Sequence, residues 1–224
     1  MKILALDTST EYCSVALWHD GNIDAREKLA GQRHSELLLK MVDGLLRERG
    51  LAVRDLDCIA FGAGPGSFTG LRIACGVAQG LAFGAELPVV GVSTLLALAE
   101  AVQGARAVCC LDARMGQVYH AAYERDGNRW ITVHPPDLCA PAAAPPLPGG
   151  FSWTGCGSGF KAYGEVLARR YAGRLSAIIS DAYPHARHIA RLAVVEFEQG
   201  RALAAEEAVP VYIRDKVALR SDER

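Results

Sequence analysis

The apolar and polar positions of the first hundred residues set out a regular succession of elements. Lys2 to Leu6 is a short apolar run, and Ser14 to Trp18 alternates as a half-buried strand does. Asp20-Gly21 follows, a dipeptide suited to a tight hairpin turn with positive φ, so residues 23–30 return as a third strand. "HSELLLKMVDGLLRERG" then carries apolar side chains at 37, 38, 41, 42, 45 and 46, a helical period that Gly50 closes. Cys58 to Phe61 reads as a buried strand, Ser67 to Phe83 as a helix, and Val89 to Val92, behind Pro88, as another buried strand. A helix from Ser93 to Val102, capped by Ser93 or Thr94, completes the order β-β-β-α-β-α-β-α.

The second half begins as the first does. "AVCCLDARMGQVYHAAYERDGN" mirrors "KILALDTSTEYCSVALWHDGN": an apolar strand ending in Leu-Asp (Asp112, Asp7), a turn, an alternating strand, and an Asp-Gly-Asn hairpin. The shared order points to duplication of a βββαβα unit, and so to an α/β protein of the two-lobe, actin-like, ribonuclease H-like (ASKHA) architecture. The lobes are expected at 1–102 and 103–224, packed together, since no proline-rich linker divides them. "APAAAPPLPGG" (140–150) is expected as a surface loop, because its prolines exclude a helix or central strand. "FKAYGEVLARRYAG" and "PHARHIARLAVVEFEQG" have helical periodicity, "VPVYIRD" reads as extended, and "SDER" as a loose tail.

A chain of 224 residues, half of them apolar, buries a sizeable core. Its net charge of -1 supplies no global field for nucleic acid or anionic lipid, which argues against a stand-alone tRNA binder. Seven cysteines without a Cys-x-x-Cys fit buried free thiols in a reducing compartment. The N-terminal apolar run is too short for a signal peptide or membrane span, and a cytoplasmic location is expected.

"GAGPGSFTG" before the helix at 67–83 resembles a phosphate loop, yet no lysine follows its glycines as the Walker A pattern requires, and G-x-G-x-x-G is not met. Either an anion sits at the helix N-terminus, or the glycines only shape a turn that Ser67 or Thr69 caps. In that helix Gly70, Ala74, Ala78 and Ala82 recur every four residues, while Gly76 and Gly80 repeat the spacing on another face. Interior glycines cost about 1 kcal/mol each relative to alanine, so another backbone is expected to come close. That backbone belongs either to a partner or to the chain's own core. The helix near His34 poses the same choice, with stripes Leu37–Met41–Leu45 and Leu38–Val42–Leu46, one for the core and one for a partner. His185 and His188 lack a third ligand nearby, Ser67 is not in a nucleophile elbow, and His34 reads as structural or partner-contacting. Asp7 and Asp112 end strands facing the cleft; each either orients a metal–nucleotide or accepts N–H bonds in its turn.

"ILALDTST", "HSELLL", "GPGSFTGLRI", "GVST", "LDARMGQVY" and "VYIRDKVA" run in order from residue 3 to 218. Together they resemble the TsaB (YeaZ) family of the bacterial machinery that makes threonylcarbamoyladenosine in tRNA. The resemblance implies a non-catalytic scaffold beside the catalytic paralogue TsaD, with the ATPase TsaE as third partner, a homodimer when alone, and tRNA met only through the complex. TsaD's metal-binding histidines correspond here to Thr94 and Leu98, neither of which replaces imidazole, so no metal, cofactor or catalytic residue is expected. The partner surface is expected on His34, Leu37, Met41 and Leu45 of one helix and on Gly70, Leu71, Ala74, Cys75 and Ala78 of the next. Asp7, Ser9, Thr10, Gly66 and Ser67 are the positions for a nucleotide, should one bind. The alternative is an autonomous nucleotide-dependent phosphotransferase of the actin-like kinase architecture.

Overall fold

The structure, a computed structural model, describes residues 1–102 and 104–214. The first sheet is built from β1 (Lys2–Asp7), β2 (Tyr12–His19), β3 (Asn22–Leu29), β4 (Cys58–Gly64) and β5 (Val89–Ser93), in the order β3-β2-β1-β4-β5. The hairpin strands β1, β2 and β3 pair antiparallel, whereas β1, β4 and β5 run parallel. Asp20 and Gly21 both take positive φ at the hairpin tip, as an Asp-Gly turn allows.

The second sheet repeats the plan. It contains β6 (Arg106–Asp112), β7 (Val118–Asp126), β8 (Arg129–Cys139), β9 (Trp153–Cys156) and β10 (Leu175–Ile179), in the order β8-β7-β6-β9-β10. Counted within each half, the strand order is identical, so the duplicated α/β architecture of two lobes is present.

Strand alternation sends successive side chains to opposite faces, and both faces of the first sheet are covered. Leu4, Leu6, Val15, Ile59 and Phe61 meet α1 (His34–Glu48) and α2 (Phe68–Gly84) through Leu38, Val42, Leu45, Ala74, Ala78 and Ala82. Ile3, Ala5, Ala16, Cys58 and Ala60 on the other face meet α6 (Ala186–Glu198) through Ala186, Ile189, Ala190 and Ala193. Meanwhile α3 (Thr94–Ala101), which follows the first sheet in the chain, packs Leu95, Leu98 and Ala99 against Ala107, Cys109, Leu111 and Tyr123 of the second. Each half therefore sends its last helix to the other half's sheet. A division into 1–102 and 103–224 falls between the sheets, across which α3 and α6 are exchanged.

Other expectations are refined. Where the first lobe carries α1, the second carries the proline stretch, and Ala144 and Leu147 from it are buried against Val108, Trp153, Phe160 and Tyr171. It is a cover on the core as well as a loop. "FKAYGEVLARRYAG" forms two short helices, α4 (Ser158–Ala162) and α5 (Gly164–Arg170), divided at Tyr163, whose φ of -130° leaves the helical region. The sequence pattern had not marked β10, a nearly all-exposed edge strand. Residues 210–214 of "VPVYIRD" carry no strand pairing, and "SDER" lies outside the described residues. All seven cysteines are free and six of them are buried. No helix among the described residues is long and apolar enough to cross a membrane.

Candidate functional site

Between the two sheets lies a cleft of about 970 Å³, lined by the β1–β2 turn, the glycine loop before α2, the β6–β7 turn, the start of α4 and residues 211–214. The glycine loop is shaped by what it packs against. A Cβ on Gly70 would overlap the Thr8 carbonyl oxygen, and one on Gly66 would lie 2.6 Å from that of Ser9. The Thr8 hydroxyl donates to the Gly70 carbonyl at 2.6 Å, and the Ser67 N–H donates to the Ser9 carbonyl at 2.8 Å. Ser67 caps α2 by accepting from the Gly70 N–H at 3.3 Å. The loop thus clasps the chain's own 8–9 backbone.

The two strand-end aspartates differ. Asp7 is fully buried; its Oδ1 accepts from the Ser9 N–H and hydroxyl at 3.1 and 2.9 Å, while Oδ2 is buried against Gly62 without a partner. Burial, only partly offset by the Ser9 bonds, lifts its pKa from 3.8 to about 7. Asp112 instead lines the cleft, accepting from the Arg114 N–H at 2.8 Å and pairing with the Arg114 guanidinium at 3.2 Å. His34, at the start of α1, lies 2.9 Å through Nε2 from the Thr10 carbonyl and pins the β1–β2 turn. Thr94 is buried and its hydroxyl donates to the Pro65 carbonyl; Leu98 is buried in the core.

Burial pushes the Cys13 and Cys58 thiols up to about 11 and 12, away from thiolate chemistry. His185 caps α6 by accepting from the Arg187 N–H at 3.0 Å and pairs through Nε2 with Glu27 at 2.8 Å, a structural pairing. Among the described residues, no three His, Cys, Asp or Glu side chains converge as a metal would require.

A second feature is the outer surface of α1 and α2. Gly76 and Gly80 are exposed, and a Cβ built on either, or on Gly44 of α1, meets nothing within 4 Å. Leu39 of α1 is 51% exposed and Phe83 of α2 71%, and Ile73 and Val77 of α2 are half-covered. Ile73, Gly76, Val77, Gly80 and Phe83 recur at three- and four-residue spacing, so apolar side chains and bare backbone share the open face of α2.

The family model described as TsaD, tRNA N6-adenosine threonylcarbamoyltransferase, matches residues 27–221. The tRNA threonylcarbamoyladenosine biosynthesis protein TsaB of Escherichia coli is 40% identical over 97% of this chain and 96% of its own. The chain belongs to the TsaB (YeaZ) family. TsaB of Haemophilus influenzae is 38% identical over 97% of this chain and 95% of its own. The structure titled YeaZ from Pseudomonas aeruginosa superposes with a TM-score of 0.87 at 38% identity, covering 94% of this chain and 99% of that one.

Within this TsaB-family chain, most positions expected to meet a partner face inward. Gly70, Leu71, Ala74, Cys75 and Ala78 are buried in the monomer, and Met41, Leu45 and His34 are at most 8% exposed. Both α1 stripes serve the core, with Leu37 half-covered at the edge. Their inward orientation has a physical reason: α2 lies directly on β4, and small side chains let it approach. The other small-residue face, Gly76 and Gly80, is the open one. Of the nucleotide positions, Asp7 is buried away from the cleft surface, whereas Ser9, Thr10, Gly66 and Ser67 line it. Spacing alone had not singled out Thr8, Gly44 or Phe83.

Proposed function

We propose that this chain is the non-catalytic subunit of the assembly that forms threonylcarbamoyladenosine in tRNA. It holds a TsaD-like catalytic paralogue through the open face of α1 and α2, with a TsaE-like ATPase completing the set and tRNA engaged by the complex. The observation that carries the reading is the contrast between the two features just described. The glycine loop is occupied by the chain's own backbone, while exposed Phe83 adjoins glycine-bare helix that nothing among the described residues covers, and Leu39 of α1 is exposed as well. Close helix–helix packing against a partner, or against a second copy when the chain is alone, is what such a face suits. An autonomous phosphotransferase is not favoured, because it would need the loop N–H groups free for phosphate, and the Ser67 N–H is already given to Ser9.

The test is Gly80→Arg, which places a long charged side chain where the monomer has open space. Sedimentation with the catalytic paralogue should show affinity falling at least tenfold while the thermal melt stays that of the native fold. Unchanged affinity with an intact fold would move the partner surface elsewhere.

A further inference from the structure

The segment after the last short helical turn (Ala205–Glu207) crosses the mouth of the cleft from one lobe to the other. On the first lobe, the Ala208 carbonyl accepts from the Cys75 thiol at 3.5 Å, and the Val211 N–H donates to the Ala63 carbonyl at 2.7 Å. Gly64 makes room for that crossing: its φ is +121°, and a Cβ there would sit 2.6 Å from the Val211 carbonyl oxygen. Tyr212 then docks on the first turn of α2. Its hydroxyl accepts from Arg72 Nε at 2.9 Å, and its ring lies 5.3 Å from the Phe68 ring.

Two residues later the chain has reached the second lobe. Arg214 donates to the Ala113 carbonyl at 3.0 Å and to Gln117 Oε1 at 2.9 Å, with its other nitrogen 2.9 Å from the Met115 sulfur. These partners are the β6–β7 turn, where Arg114 and Met115 both hold positive φ. The guanidinium is the clip that keeps this left-handed turn against the opposite lobe.

We propose that residues 208–214 are an interlobe latch, fixing the opening of the cleft from its mouth. At the other end of the cleft the lobes are already joined through α3 and α6, which pack between the sheets. A two-lobe body joined at one end swings about that end, and a strap across the far end has the longest lever against the swing. Four consecutive positions, 211–214, line the cleft while bonding to both its walls. Their arrangement suits holding the lobes apart at a set distance rather than covering core.

Spin labels on exposed positions of each lobe, Arg54→Cys and Arg129→Cys in a Cys139→Ser background, report the interlobe distance by pulsed dipolar spectroscopy. Dilution into unlabelled protein suppresses pairs between copies. Arg214→Ala should broaden the distance distribution and speed amide exchange over 111–119 by roughly 10- to 100-fold, the effect of losing charged hydrogen bonds. Arg214→Lys should restore part of the narrow distribution. Tyr212→Ala, which frees the other anchor, should broaden it too without touching the β6–β7 turn. A distribution as narrow as the wild type in both alanine variants, with native melts, overturns the latch. Faster exchange at 111–119 alone, with the distance unchanged, also overturns it, since that result makes Arg214 a local clip.

Discussion

Asp7 shows how one side chain's environment decides its part. A carboxyl whose folded-state pKa is about 7, against 3.8 when exposed, is stabilised by folding in its protonated form. The associated stability is therefore complete below about pH 4 and is lost as pH rises to about 7. Asp7→Asn keeps an acceptor for Ser9 and removes the charge. At pH ~8 the variant's urea midpoint should exceed the wild type's, a gain of up to about 4 kcal/mol from a shift near three units. Near pH ~4 the two should converge. His120 and His188, depressed to about 4 and 3 by burial, shift stability the opposite way, but both proteins share them and the difference cancels their effect. A gap independent of pH would contradict a buried, titrating Asp7. Gly70 gives a second residue-scale test. Gly70→Ala drives a methyl into the Thr8 carbonyl and should cost about 1–3 kcal/mol in a thermal melt, with Gly76→Ala as the control. An unchanged melt would mean the loop does not clasp the β1–β2 turn.

For the elements, α2 carries two glycine–alanine faces with opposite fates. Gly76→Ala and Gly80→Ala replace helix-interior glycines that have open space, so each should raise monomer stability by about 0.5–1 kcal/mol. The same variants should weaken partner association, and that opposition between melt and sedimentation is the signature of an interface glycine. Ala74→Glu, by contrast, buries a charge in the core against β4 and should fail to fold. Periodicity made α2 and both its small-residue faces legible, but not which face meets β4, because a four-residue repeat is the same whichever neighbour it serves. The duplicated hairpins were legible through Asp7, Asp112 and their Asp-Gly turns. The exchange of α3 and α6 between sheets was not, since an amphipathic pattern records that a face is buried and not against what. Edge strand β10 escaped because burial, the source of strand periodicity, is nearly absent from Ser176 to Ile179.

Taken whole, the molecule divides its surfaces between a filled glycine loop and an open helix face, and the proposed non-catalytic role rests on that division. The loop that could have held phosphate holds the β1–β2 turn, Thr94 steadies the Pro65 carbonyl, and Leu98 fills core. Outward lies the glycine-bare face of α2, with Gly76 and Gly80 open to space. Of the candidate site, the helices and their small-residue repeats were legible, whereas the burial of Gly70, Ala74 and Ala78 in the monomer was not. The decisive measurement is threonylcarbamoyl transfer to tRNA, reconstituted from the catalytic paralogue, the ATPase and this chain. The account predicts no product from this chain alone with activated intermediate and tRNA, and full product when it joins the paralogue. It further predicts that Gly80→Arg returns the mixture to the level seen without this chain, whereas Asp112→Ala in the cleft leaves product formation unchanged. Product from this chain alone, or loss of product in Asp112→Ala with association intact, would contradict it.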